Sequence, residues 1–309
     1  MIPKRVLILG ATGLLGKALV EEWDFDEVTG ASSRDADIRD AVQLRALFAR
    51  ARPQWTVLAA AYTDVDGCEK KPEMAHQVNC AGAGNVARVA RECGSRMLFV
   101  STDYVFDGKK TTPYETSDLP RPINVYGRTK AVGEALVRAI LPEACIARTS
   151  WLFGVAGKCF PNTILRVAKE QGEISVVADQ RGAPTFNRDL ARAIVHLCRC
   201  GARGTLHVTN GGHCSWHEFA EELVRGAGLT GVTVKPIGAA EFARPAARPK
   251  NSVLSSASLR QRYGITLPPW QEAVQRYLRE KSGGSVAQER RAGCQFASVP
   301  GLGVEGAKS

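Results

Sequence analysis

Short apolar runs and helix-spaced segments alternate through the first half of this chain, and few folds accommodate that order. A continuous apolar run predicts a strand over Val6–Leu9, and further strands are expected over Val28–Ala31, Thr56–Ala61, Met97–Ser101 and Ala144–Thr149. Helical spacing runs between them over Leu14–Trp23, Val42–Ala51, Ala75–Cys93 and Ala131–Ile140. A strand apolar at nearly every position is one covered on both faces. A helix between successive strands is the crossover that parallel neighbours require. The expectation is an α/β fold, a parallel sheet with helices on both faces.

The second half is less regular. Helices are expected over Phe160–Lys169, Leu190–Arg199 and Trp270–Lys281, with extended segments at Ile174–Val177 and Thr205–Val208. Ser215 and Glu218 have the spacing of a capping box, which predicts a helix from there to about Val224. This half reads as a smaller mixed α/β domain. The expected division is 1–150, 151–281 and a flexible tail at 282–309, where Gly and Ser are frequent and periodicity is lost.

The first strand runs into "LGATGLLGKAL", with Gly10, Gly13 and Gly16 three residues apart. Glycine allows a tight turn and lets a pyrophosphate approach backbone N–H groups at the start of a helix. Thr12, Leu14 and Leu15 belong to the same loop. The glycines also interrupt the apolar stretch, so it does not read as a leader peptide. After the second strand come Ser32, Ser33 and Arg34, with no carboxylate before Asp35. An arginine there can pair with a 2′-phosphate, which favours NADPH and leaves NADH as the alternative.

"NVYGRTK" places Tyr126 and Lys130 four residues apart, on one face of a helix. Bringing a phenol from its ordinary pKa to neutrality costs about 4 kcal/mol. An ammonium about 4 Å away supplies roughly that much at an effective dielectric near 20. The spacing therefore suits a proton-transfer pair.

The net charge is +10. Without a dense Lys/Arg cluster interleaved with aromatics, the charge fits an anionic small ligand better than nucleic acid. The nine cysteines form no CxxC pair, which argues against a metal site or a disulfide framework and for a cytoplasmic protein. No uncharged run reaches 18 residues, so no membrane partner is expected.

With "STDYVFDG" (101–108), these motifs resemble the extended short-chain dehydrogenases/reductases, whose first domain is a Rossmann-type sheet. More narrowly, the chain resembles the dTDP-4-dehydrorhamnose reductase family from Ile2 to Leu278. That likeness rests on "AAAYTDVDGCE" (59–69), Val78–Asn79, "PINVYGRTKAVGE" (122–134), "RTSWLFG" (148–154), "DQRGAPT" (179–185), "GTLHVTNGGHCSWHEFA" (204–220) and "RPKNSVL" (248–254). The resemblance implies hydride transfer from NADPH to the C4 ketone of a dTDP-linked 4-keto-6-deoxy sugar. It implies Tyr126 as proton donor, Lys130 as the group that lowers its pKa and holds the nicotinamide ribose, and Thr102 on the ketone oxygen. Ser33, Arg34, Asp37, Ile38, Ala60, Ala61 and Tyr62 would border the cofactor. Asp103, Tyr104 and Trp151 would border the sugar, with Arg248 and Asn251 at the diphosphate or the base.

Two positions depart from the family pattern. Cys159, after Lys158, stands where many relatives carry asparagine, at an edge of the sugar-nucleotide pocket. Some members hold Mg²⁺ through interface glutamates, whereas here "GAPT" is followed by Phe186, Asn187 and Arg188, which argues against a metal-bridged dimer. Monomer and homodimer both stay open. Two alternatives remain: the same chemistry on another nucleotide-linked 4-keto-6-deoxyhexose, or a non-catalytic NADP-binding role like that of the regulatory subunit of methionine adenosyltransferase.

Overall fold

Five strands in the first half, β1 (Arg5–Leu9), β2 (Glu27–Ala31), β3 (Trp55–Leu58), β4 (Arg96–Thr102) and β5 (Cys145–Thr149), all lie parallel in one sheet. A sixth strand, Gly204–His207, joins beside β5. The structure, a computed structural model, describes residues 4–24, 26–284 and 294–297. The spatial order is Gly204–His207, β5, β4, β3, β1, β2. The order therefore reverses beside β1, and a crevice opens there at the carboxyl ends of the strands.

Both faces of the sheet are covered, which is why β1 is apolar from Val6 to Leu9 and β3 and β5 are buried along their whole length, while β2 at the edge is largely not. Leu15, Leu19, Leu190, Ile194 and Leu197, from helices Leu14–Glu22 and Asn187–Arg199, pack on one face. Leu44, Phe48, Val86, Val89 and Val137 pack on the other. The chain after residue 150 thus returns to the first sheet. A separate core of Phe153, Phe186, Phe219, Trp270 and Tyr277 supports the smaller half. Its strands are short: Leu152–Phe153 pairs with Thr185–Phe186, and Glu173–Val177 with Thr233–Ile237. Arg188 ties the halves together, reaching Glu21 at 2.8 Å, Glu22 at 3.2 Å and Glu280 at 2.7 Å.

The third strand ends at Leu58 rather than Ala61. Ala59 and Ala60 both turn their N–H groups to the Leu9 carbonyl, at 3.0 and 2.9 Å, as β1 gives way to Gly10. The helix expected over Ala75–Cys93 is three pieces: Pro72–His76, a π-helical turn Gln77–Gly82, and Ala83–Glu92. The helix bearing Tyr126 begins at Val125 instead of Ala131, because Asn124 caps it by accepting from the Gly127 N–H at 2.7 Å. The capping box at Ser215 and Glu218 forms as its spacing predicts. Within the segment read as a tail, Gln295–Phe296 pairs antiparallel with Ile265–Thr266. The Cys294 thiol donates to the Asp189 carbonyl at 3.3 Å and Phe296 stacks on His196 at 4.3 Å, so this short stretch is held where flexibility was expected. The remainder of that segment past Gly284 lies outside the described residues. No described helix is long and apolar enough to cross a membrane.

Candidate active site

A cleft of about 1730 Å³ runs from the loop after β1, across the ends of β3 and β4, to the smaller half. Its floor is the glycine turn. Gly10 has φ +91°, where an L side chain is strained, and a Cβ there would meet the Ala60 nitrogen at 2.6 Å. At Gly16 a Cβ would run into the Gly10 carbonyl. Helix Leu14–Glu22 starts at Gly13 with no side-chain cap, leaving its first N–H groups for an anion. Thr12, Gly13, Leu14, Leu15 and Gly16 all line this end.

Thr102 is the last residue of β4 and is 6% exposed. Its hydroxyl donates to Asp103 Oδ1 at 3.0 Å and accepts from the Tyr104 N–H at 3.2 Å. Asp103 is buried with its Oδ2 unpartnered among the described residues, and burial pushes its carboxyl up to about 7. Tyr104 and Tyr126 meet edge to face with ring centroids 6.0 Å apart. Burial raises the Tyr126 phenol above its ordinary value, and a hydrogen bond with Thr102 partly opposes the rise. Lys130 is 2% exposed, donates from Nζ to the Val100 carbonyl at 2.8 Å and sits 3.9 Å above the Phe99 ring. Burial lowers its ammonium to about 7, against the pull of Glu134. The lysine is thus committed to the Val100 carbonyl, and burial holds the phenol above its ordinary value rather than below it as the pairing with Lys130 predicted, so the phenol stays protonated.

That lysine carries a testable signature. An unfolded lysine stays charged to about pH 10.4. Between about 7 and that value the unfolded state binds the extra proton, so this group makes stability rise with pH. We expect the stability difference between wild type and Lys130→Met, from urea melts at several pH values, to grow in favour of wild type from pH 7 to 10. A constant difference would mean that Lys130 is not titrating in a desolvated place.

Asp37, Ile38, Ala60, Ala61, Asp103, Tyr104, Trp151 and Arg248 all line the cleft. Trp151 adopts φ +45° and its indole stacks on Trp216 with centroids 3.5 Å apart. Arg248 is spent largely on a two-pronged pair with Asp66, at 2.8 and 3.1 Å. Three expected residues lie off the cleft wall. Arg34 is exposed beside it. Tyr62 is held through its backbone, where its N–H donates to Asn79 Oδ1 at 2.8 Å and its carbonyl accepts from Asn79 Nδ2 at 3.0 Å. Asn251 donates to the Lys110 carbonyl at 2.8 Å and braces a loop. Asn79 itself stands on the π-helical turn, a device frequent at functional sites. Motif reading also missed Trp216, Arg39 and Arg244, which line the cleft. Cys159 and Lys158 are at its rim. Among the described residues, no group of three or more His, Cys, Asp or Glu is placed to hold a metal ion.

Comparison with known proteins gives a concordant set of likenesses. The family model described as the RmlD substrate binding domain matches residues 4–282. A dTDP-4-dehydrorhamnose reductase of Burkholderia thailandensis is 37% identical over 287 residues, covering 87% of this chain and 96% of that one. A dTDP-4-keto-6-deoxy-D-glucose reductase of Streptomyces niveus is 37% identical over 273 residues, covering 87% and 95%. The crystal structure of dTDP-4-dehydrorhamnose reductase from Bacillus anthracis in complex with NADP superposes with a TM-score of 0.88 at 39% identity, covering 90% of this chain and 100% of that one.

Proposed function

The chain belongs to the dTDP-4-dehydrorhamnose reductase family, and from that premise we propose that it reduces the C4 ketone of dTDP-4-dehydro-L-rhamnose with NADPH, giving dTDP-L-rhamnose. The observation that carries the reading is that Thr102, Tyr126 and Lys130 share one cleft with the glycine turn. The cleft also suits the cofactor. A turn that no Cβ would fit, at the bare start of a helix, is what a pyrophosphate needs. Gly10, Gly13 and Gly16 would hold it, with Ser33, Asp37 and Ile38 at the adenosine, Ala60 and Ala61 along the middle, and Tyr126 and Lys130 at the nicotinamide ribose. When bound, NADPH supplies the hydride.

The chain's own residues manage charge and proton. Reduction places negative charge on the former ketone oxygen, and donors already in place lower that barrier. Tyr126 is held protonated by burial, and an alkoxide is a much stronger base than a phenolate, so the phenolic proton passes to it. Once the proton has left, the Thr102 hydroxyl, which rests on Asp103 Oδ1 at 3.0 Å, would turn to the phenolate oxygen and spread the charge there. The stacked indoles of Trp151 and Trp216 offer an apolar wall to the C6 methyl and ring C–H groups of a deoxysugar.

The test is a coupled reaction in which dTDP-glucose is converted by the dehydratase and the epimerase and NADPH oxidation is followed by absorbance. Oxidation that requires the epimerase is the expected result. NADPH binding without consumption, with any such sugar, would overturn the reading in favour of a binding role. The Streptomyces niveus relative matches this chain at the same 37% identity and supports a second reading, with dTDP-4-keto-6-deoxy-D-glucose as substrate. In that case oxidation proceeds without the epimerase.

A further inference from the structure

Glu134 is a fully buried carboxylate that the catalytic reading leaves unused. It stands on helix Val125–Ile140 one turn beyond Lys130, which is itself one turn beyond Tyr126. The three side chains therefore share a face, and that face meets the end of β4. Each of them meets a different residue of one tripeptide there. Tyr126 sits within hydrogen-bonding reach of Thr102, Lys130 Nζ donates to the Val100 carbonyl at 2.8 Å, and Glu134 Oε1 accepts from the Ser101 hydroxyl at 2.6 Å. The Glu134 contact is also locked from behind. Arg148 of β5, the register partner of Ser101, grips the same carboxylate with two prongs, Nε to Oε1 at 2.9 Å and Nη2 to Oε2 at 2.7 Å. Arg148 is 2% exposed, lies 5.1 Å over the Phe106 ring and places Nη1 3.4 Å from the His207 ring. Arg138, on the same helix, reaches Oε2 only at 3.5 Å. A buried ion pair is weak grounds for stability, since an apolar pair of similar size commonly does as well. What this pair adds is direction: bonds to both carboxylate oxygens fix the helix along and across the strand.

We propose that Glu134 is a positioning residue for the reduction. Clamped by Ser101 and Arg148, it holds helix and strand in the register that keeps Tyr126 at Thr102 and Lys130 at Val100. The proposal rests on the reductase reading of the cleft.

Single-turnover reduction by the preformed NADPH complex of the full chain reads the chemical step, and urea melts read stability beside it. Glu134→Gln should lower the saturated rate by roughly ten- to a hundredfold, the scale of a small misplacement of reacting groups, with a much smaller change in the sugar concentration at half-saturation. Ser101→Ala keeps the ion pair, and should lower the rate by about three- to tenfold, the scale of one hydrogen bond. Glu134→Gln also strands the Arg148 guanidinium and should melt earlier. Glu134→Leu combined with Arg148→Met removes both charges, so stability should return while the rate stays low. If the rate returns with the stability, the pair is only a structural fastening and the proposal is overturned. It is overturned as well if the loss lies in half-saturation alone. Should the double variant not fold, Ser101→Ala decides, and a wild-type rate there overturns the proposal. A wild type that consumes no NADPH with any 4-keto-6-deoxy sugar would overturn the reductase reading, whereas wild-type turnover with undiminished variants overturns only the role of Glu134.

Discussion

Tyr126→Phe is expected to lower kcat/KM for ketone reduction by a factor of about a hundred to ten thousand, far more than the loss of one hydrogen bond to the nicotinamide ribose takes from NADPH affinity. The substitution removes one oxygen and keeps the ring, so the edge-to-face contact with Tyr104 at 6.0 Å survives and the site keeps its shape. What is lost is the proton for the alkoxide. Thr102 cannot replace it cleanly, because its own hydroxyl donates to Asp103 at 3.0 Å. Asp103 could supply a proton when its carboxyl, pushed up to about 7 by burial, is protonated. Residual activity in the variant should therefore fall as pH rises through about 7, which wild type need not show. Single-turnover rates with preformed NADPH complex, measured from pH 6 to 9, separate the two sources. A variant with wild-type kcat/KM would remove Tyr126 from the chemistry.

The large sheet was legible because burial on both faces leaves apolar runs in β1 and β4, because helical spacing recurs between the strands, and because the glycines of the first turn have no substitutes. Tyr126 and Lys130 were legible for a related reason: helical spacing alone fixes a shared face. Other features depend on contacts far apart in sequence. Trp151 meets Trp216 only once Gly182 has left room for the indole, and a φ of +45° at a tryptophan has no local signal. The π-helical turn exists where Asn79 reaches across to Tyr62 and where Gly133 lets a neighbouring helix come close to its backbone. Two-residue strands such as Leu152–Phe153 are too short to show a period.

Arg276→Met is expected to cost about 3–5 kcal/mol of stability, because it strands a buried carboxylate. Arg276 is 1% exposed and its partner Asp189 is fully buried. The two meet fork to fork, Nη1 to Oδ1 at 2.6 Å and Nη2 to Oδ2 at 2.5 Å. Asp189 also accepts from Asn210 at 2.7 Å, and Asn210 in turn takes the Phe186 N–H at 2.8 Å and donates to the Pro268 carbonyl at 2.9 Å. One ion pair thus fastens the last helix to helix Asn187–Arg199 and steadies the strand ahead of it. Losing the guanidinium leaves Asp189 to be desolvated on the strength of one amide. For a chain of this size a loss of that order lowers Tm by roughly 5–8 °C. Adding Asp189→Leu to the variant should recover part of the loss, since apolar replacement of both partners removes the stranded charge. Neither residue lines the cleft, so kcat/KM per folded molecule should hold while the melting temperature falls. A variant that melts like wild type would show that the pair contributes no net stability. One that melts lower and also loses kcat/KM at temperatures where it is folded would make the pair a determinant of cleft geometry as well.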